Sequence, residues 1–282
     1  MAEETTSTSN KKYVSTANIA STKPTKPTLT GSLRQSQRMV GLGNLLNIVA
    51  AVGASLVVSS GGVVAQWLEN QALSTFWQLR GSLVPPEDIV ILAIDDQSIS
   101  LPEQYYKTDP HTYAYLEPLR SFPFKRAAYA EVIEKLMQAG ARSVALDVVF
   151  DTPSIYGTDD DRQLQAALKK YGNKITLAAQ YEASESHQGT FTQLRLPNDK
   201  FRQYPNIGSV NFILEADGKI HRLAREFNKL LAADDILREK VLSFDQAVLR
   251  SAGIKYPQPR GSGIYFWGGA GTFEAIPFWY VF

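Results

Sequence analysis

The stretch Ile89–Asp96 constrains the fold of this chain more than any other. Its first six residues are apolar and consecutive, and its last two, Asp95 and Asp96, are acidic. An apolar run of this length without alternation predicts a strand that is buried on both faces. We therefore expect this strand at the centre of a sheet that helices cover on both sides.

The same pattern recurs in a second apolar strand, which begins near Ser143 and leads into Asp147 and Asp151. Between the two strands, Lys125–Gln138 carries apolar side chains at helical spacing and is followed by a glycine cap at Gly140. Strand, helix and strand in this order predict a right-handed crossover between parallel strands. Ligands of open parallel sheets bind at the carboxyl ends of the strands, so the strand-end aspartates are candidate site residues.

Further elements extend this pattern. Asp159–Asp161 begin an amphipathic helix that ends near Tyr171, because acidic side chains cap the free amides of a helix start. The stretch Lys174–Ala179 then predicts a third strand. These elements are typical of a largely parallel sheet covered by helices.

The C-terminal part adds a hairpin to the sheet. Gly208–Leu214 and Ile220–Phe227 are expected to pair, because an Asp-Gly turn joins them. Ser243 begins a capping box for a helix over Phe244–Ser251, and a last strand is expected near Gly263–Trp267. The predicted fold class is α/β, a helix-covered, largely parallel sheet with an added hairpin, preceded by one N-terminal transmembrane helix.

Three regions divide the chain. Residues 1–38 are polar and predict a disordered cytoplasmic tail, whereas residues 39–68 contain no charged residue. The apolar centre of that run, Leu45–Val64, has the length of a membrane-spanning helix, and the positive charges before it place the N-terminus in the cytoplasm. The expected localisation is the inner membrane, with residues 69–282 as an extracytoplasmic or periplasmic domain. A buried helix of a soluble protein and a cleaved signal peptide are the alternatives.

Composition excludes several functions. The net charge of +1 provides no basis for nucleic-acid binding. The absence of cysteine excludes disulfides, thiolate metal ligands and cysteine nucleophiles. The three histidines lie far apart and no Gly-x-Ser-x-Gly elbow is present, so we assign no metal site, no cofactor and no catalytic residue.

Three further polar residues join the strand-end aspartates as candidates for a ligand-binding or structural crevice. Arg126 lies in the first turn of the first helix, where it pairs with Asp96 or Asp147 or holds an anionic ligand. Asn211 and Arg222 flank the predicted hairpin and approach the same crevice. The full candidate set is Asp95, Asp96, Arg126, Asp147, Asp151, Asn211 and Arg222.

The strand-end aspartates also allow an enzymatic alternative, a membrane-tethered hydrolase that uses a divalent cation. Haloacid-dehalogenase-type phosphatases need Asp-x-Asp spacing, whereas Asp95 and Asp96 are adjacent and point to opposite sides of an extended chain. An aspartate at a strand end also caps neighbouring loops through backbone amides. These features disfavour the enzymatic alternative.

The order and spacing of the motifs resemble the CHASE type-2 domain, an extracytoplasmic sensor of bacterial, especially cyanobacterial, receptors. The resemblance covers about Glu69–Phe282, and it differs at Phe122 and Phe124, where the family usually has tryptophans. The matching motifs are Ile89–Ser98, Phe122–Arg126, Gly140–Ala141, Leu146–Phe150, Asp159–Asp161, Gly208–Asn211, Asp217–Gly218, Arg222, Tyr265–Gly268 and Gly271–Phe273.

The resemblance implies a membrane-anchored sensory domain for an unknown small-molecule or protein signal. In the family, further membrane helices and a cytoplasmic output module follow, either a nucleotide cyclase, a serine/threonine kinase or a histidine kinase. We therefore expect the N-terminal, non-enzymatic part of an adenylate or guanylate cyclase, acting as a homodimer and lacking its C-terminal output domain after Phe282. A structural envelope protein is a third alternative.

Overall fold

A computed structural model describes residues 47–53, 55, 62–186, 189–233 and 241–282. Residues Gln66–Phe282 form one compact unit, to which the fold below belongs. The helices are α1 (Val63–Arg80), α2 (Asp96–Thr108), α3 (Arg126–Gln138), α4 (Thr158–Tyr171), α5 (Ala224–Ala233) and α6 (Phe244–Ser251). The strands are β1 (Ile91–Ala93), β2 (Val144–Leu146), β3 (Ile175–Ser186), β4 (Gly189–Arg195), β5 (Asn206–Ser209), β6 (Leu242–Ser243) and β7 (Ala275–Pro277).

No helix in the described part of the chain is both long enough and apolar enough to cross a membrane. Helix α1 contains Glu69, Arg80 and a series of amide and hydroxyl side chains, which lower its hydropathy. The predicted tail and residues 39–46, 54 and 56–61 of the predicted span lie outside the described residues. Because no described helix can cross a membrane, the prediction of a membrane span and of an inner-membrane localisation is wrong.

The main sheet is largely parallel, and this part of the predicted fold class is confirmed. Strands β2, β3, β5 and β6 pair in that order, each parallel to its neighbour. Val144 of β2 lies opposite Ile175 of β3, and Gly208 of β5 lies opposite Leu242 of β6. Helix α4 connects β2 to β3 in the chain, as parallel neighbours require a crossover.

Helices cover both faces of this sheet. Ile175 and Leu177 are fully buried in a core that contains side chains of α3 and α4. Thr176, between them, forms a hydrogen bond of 2.6 Å with Ser251 Oγ at the end of α6. Because successive side chains of a strand point to opposite faces, α6 lies on the face away from α3 and α4.

Helix α6 approaches strand β5 so closely that only glycine fits between them. A Cβ atom at Gly208 would lie 2.6 Å from Cα of Phe244 and 2.9 Å from Cβ of Ala247. Gln246 Oε1 accepts a hydrogen bond from the backbone amide of Ser243, as the predicted capping box requires, and another from the Ser243 hydroxyl. The start of α6 is therefore held firmly at the end of β6.

The first apolar strand is not the central strand that the sequence predicts. Within the described residues, β1 pairs only with β7, in a separate two-stranded parallel sheet. Ile89 and Val90 lie outside the strand and are 55% and 63% exposed, and Ile91 is 42% exposed. An apolar run predicts a strand but does not identify its partner, which here comes from the other end of the chain.

The predicted hairpin and last strand are also wrong. The antiparallel hairpin of this fold is formed by β3 and β4, in which Gln180 lies opposite Arg195. The Asp-Gly turn does form, with Gly218 donating to the carbonyl of Glu215, but α5 begins at Ala224 and occupies the second half of the second predicted strand. At Gly263–Trp267 the described structure has a single bridge, between Gly263 and Arg222. Tyr265 and Phe266 of this segment pack against Trp77 of α1.

Candidate functional site

The two adjacent aspartates after β1 occupy the start of helix α2. Asp95 caps the helix, since its Oδ1 accepts from the backbone amide of Ser98 at 2.8 Å and from the hydroxyl of Ser98 at 2.7 Å. These hydrogen bonds lower the pKa of Asp95. Asp96 lies in the first helical turn and is exposed. Asp95 therefore caps backbone amides, which was the structural alternative to ligand binding at this position.

The aspartates after β2 have different surroundings. Asp147 is exposed and has no hydrogen bond or ion pair among the described residues, but partial desolvation of its carboxyl raises its pKa. Asp151 forms an ion pair of 3.3 Å with Nη1 of Arg195, and Arg195 Nε also contacts Glu182 Oε2 at 2.8 Å. Asp151 is therefore part of a surface network with the β3–β4 hairpin.

Arg126 pairs with neither Asp96 nor Asp147, against our expectation. Its guanidinium lies 4.4 Å from the centre of the Phe150 ring, and Nη2 donates to the carbonyl of Thr152 at 3.2 Å. Its buried Nε has no hydrogen-bond partner in the part of the chain that the structure describes and is 4.0 Å from Oδ1 of Asp161. Burial lowers the pKa of Arg126, which shows that its nearby carboxylates do not fully offset the loss of hydration.

Asp160 and Asp161 form a buried acidic pair that the sequence analysis did not select as a site. Asp160 accepts from the backbone amides of Arg126 at 2.8 Å and Ala127 at 2.9 Å, and also from the hydroxyl of Ser154. Asp161 accepts from the backbone amide of Ser154 at 3.1 Å. The acids at the start of α4 therefore cap the neighbouring helix α3 and the loop before α4. The run of three aspartates is visible in the sequence, but it was interpreted as capping the start of its own helix, α4, and not as a contact with α3.

Asn211 and Arg222 lie in separate hydrogen-bond networks. The Asn211 side chain accepts from the backbone amide of Tyr181 at 2.7 Å and donates to its carbonyl at 2.8 Å. Arg222 forms an ion pair with Glu215, which also accepts from Gln66 of α1 at 3.4 Å. The seven predicted residues therefore do not converge on one crevice, and a role for any of them in ligand binding stays a prediction.

A cavity of about 330 Å³ opens between α5 and α6, and we call it the α5–α6 cavity. Its polar lining includes Arg225, Asn228 and Lys229 of α5 and Gln246 of α6. It lies beside the carboxyl ends of β5 and β6, since Asn228 Oδ1 accepts from Ser209 Oγ at 3.0 Å. This is where ligands of parallel sheets bind.

Two residues that follow α6 complete the polar wall of the cavity, Tyr256 and Gln258. The hydroxyl of Tyr256 donates to Oδ2 of Asp245 at 2.9 Å, and burial together with this carboxylate raises the pKa of Tyr256 to about 12. Sequence reasoning missed the cavity because four of its ten lining residues come from α5, a helix whose start was predicted as part of a strand.

Among the residues that the structure describes, no group of three or more His, Asp or Glu side chains is placed to hold a metal ion. Asp95 is engaged as a helix cap and Asp151 as an ion-pair partner. The metal-dependent hydrolase therefore gains no support from the geometry of the strand ends.

An α/β domain with a ligand-sized cavity at the carboxyl ends of its strands is typical of ligand-binding modules. The family model of the CHASE2 domain matches residues 48–282. This chain belongs to the CHASE2 family, whose domains are extracytoplasmic sensory domains of signalling receptors and not catalytic domains. The predicted family is thereby confirmed. No curated protein and no solved structure matches the chain.

Proposed function

We propose that this chain is the sensory part of a receptor with a nucleotide cyclase as its output, and that the α5–α6 cavity receives the signal molecule. The family assignment over residues 48–282 supports the sensory role. The cavity is the observation that carries the ligand site, because it combines a volume of about 330 Å³ with polar side chains from two helices. Its size suits a small molecule better than a peptide.

A continuous set of contacts leads from the cavity wall to helix α1. Arg222 precedes α5 by two residues and pairs with Glu215, which in turn accepts from Gln66 of α1. At the other end of α1, Nη2 of Arg80 donates to the carbonyl of Phe266. A ligand that favours one position of α5 therefore acts on α1 indirectly, through the contacts of Glu215 with Arg222 and Gln66. Such coupling requires only that the ligand bind one state more tightly.

We also propose that the receptor acts as a homodimer. Leu68, Phe76 and Leu79 share one face of α1 and are 46%, 56% and 83% exposed. Apolar side chains in a helical stripe are stabilised when a second helix covers them. Sedimentation equilibrium of the chain, compared with a Leu79→Glu variant, tests this: a dimer that the substitution weakens supports the proposal, and a monomer at all concentrations contradicts it.

Sequencing the coding DNA beyond the codon for Phe282 tests the output. A reading frame that continues into a cyclase supports the proposal, and adenylate or guanylate cyclase activity of the complete protein must then change with the sensed signal. A kinase domain there contradicts the cyclase assignment and retains the sensory role. A stop codon at that point contradicts both.

A further inference from the structure

We propose that the α5–α6 cavity binds a small organic anion, a molecule with a carboxylate or phosphate group on an apolar body. This inference rests on the proposed sensory function and names the chemical class of its ligand. It follows from the side-chain hydrogen-bond donors of the cavity wall that have no partner among the described residues.

Arg225 lines the cavity and keeps one unused donor. Its Nε donates to Oε1 of Glu226 at 3.0 Å, and its Nη2 donates to the carbonyls of Pro259 and Gly261. Its Nη1 has no hydrogen-bond partner among the described residues. The side chain is only 15% exposed, so the guanidinium is held in place by its other bonds. A fixed guanidinium with a free edge is a preferred partner of carboxylate and phosphate.

Further donors lie on the same wall. Gln246 uses its Oε1 to accept from Ser243, which leaves the amide group at Nε2 without a partner in the described structure. Gln258 forms no hydrogen bond with any described residue, so its amide is also available. Lys229 contacts Glu226 at 2.8 and 3.0 Å, but it is 62% exposed and such a pair is weak enough to rearrange.

Positive charges outnumber negative charges on this wall. Arg225 and Lys229 both line the cavity, and no Asp or Glu is among its described lining residues. Glu226 pairs with both cations and offsets one of their two charges. Asp245 is not a lining residue and bonds to the hydroxyl of Tyr256. A ligand that supplies acceptors and negative charge therefore complements the cavity, whereas an amine does not.

The remaining lining is apolar and accounts for the body of the ligand. Leu231, Val241 and Leu242 line the cavity together with the polar groups. Burial of apolar surface stabilises a complex because it removes that surface from water. A ligand with one anionic group and a short hydrocarbon or aromatic body uses both kinds of lining.

Isothermal titration of the full chain with matched probes tests the inference. The probes are 4-phenylbutyrate, 4-phenylbutyl phosphate, 4-phenylbutan-1-ol and 4-phenylbutylamine, which share one body and differ in the head group. The Gln258→Glu variant places a negative charge on the wall at a side chain that bonds to no described residue. The Gln97→Glu variant is the matched control, because Gln97 is an exposed residue of α2 outside the cavity.

We expect an anionic probe to bind more tightly than the alcohol and the amine, and we expect Gln258→Glu to weaken its binding about tenfold while Gln97→Glu leaves it unchanged. The relative affinities of the carboxylate and phosphate probes identify the preferred head group. The inference is overturned if neither anion binds, if the amine binds at least as tightly, or if both variants weaken binding equally. Anion binding without any response of the complete receptor contradicts the proposed function instead, and leaves the ligand class standing.

Discussion

The buried carboxylate of Asp160 joins α4 to the start of α3, and substituting it measures how much this contact stabilises the domain. The side chain is 5% exposed and accepts three hydrogen bonds, two of them from the first backbone amides of α3. Hydrogen bonds to a charged group contribute about 1.5 kcal/mol each, so the loss of three in Asp160→Ala should destabilise the domain by about 4.5 kcal/mol. This is a large fraction of the stability of a typical domain.

Urea denaturation followed by far-UV circular dichroism measures the change. Asp159→Ala is the matched control, because Asp159 lies in the same helical turn but is 83% exposed and forms a surface ion pair with Arg162. We expect that control to lose no more than about 0.5 kcal/mol. Hydrogen exchange should also accelerate at the amides of Arg126 and Ala127 in the Asp160 variant. Equal destabilisation by the two substitutions would refute the proposed cap of one helix by its neighbour.

Two further predictions concern the other face of the sheet and the cap of α2. Gly208→Ala should cost about 2 kcal/mol of unfolding free energy in the same urea assay, because the new methyl group meets Cα of Phe244. The control Gly269→Ala adds its methyl group in open space and should cost far less. Similar losses in both variants would contradict the close contact of α6 with β5. The hydrogen bonds from Ser98 lower the pKa of Asp95 in the folded state, so their stabilisation is present above about pH 4 and is lost as the pH falls through that lower pKa. The stability lost in Asp95→Asn should therefore be larger at about pH 6 than at about pH 2.5, with the exposed Asp96→Asn as control, and a pH-independent difference would count against the cap.

The local elements of the fold were largely predictable because their signals are local. Helices α3, α4 and α6 begin and end close to the predicted residues, since apolar periodicity, caps and terminal glycines all lie within the helix and its flanks. Pairing of β1 with β7 was not predictable, because no residue near Ile91 specifies a partner 184 positions away, opposite Ala275. The same limit explains why the hairpin was assigned to the Asp-Gly turn at Gly218 instead of to β3 and β4.

The candidate site shows the same division. The general rule that ligands bind at the carboxyl ends of parallel strands directed attention to that edge of the sheet, where the α5–α6 cavity also lies, but to strands other than β5 and β6. It could not select the residues, because strand-end aspartates such as Asp95 are also caps, and capping cannot be distinguished from binding until the hydrogen-bond partners are known. The α5–α6 cavity combines Arg225 and Gln258, which are far apart in sequence and show no shared motif.

The sequence by itself determined the α/β class, the crossover helices and the membership of the CHASE2 family, because periodicity, caps and motif order are properties of neighbouring residues. Only the tertiary structure decided that the first apolar strand lies in a separate small sheet, that Asp160 caps α3 and that donors from α5, α6 and the segment after them meet around one cavity. These features depend on contacts between distant segments, whose geometry follows from packing of the whole domain and not from any one stretch of chain.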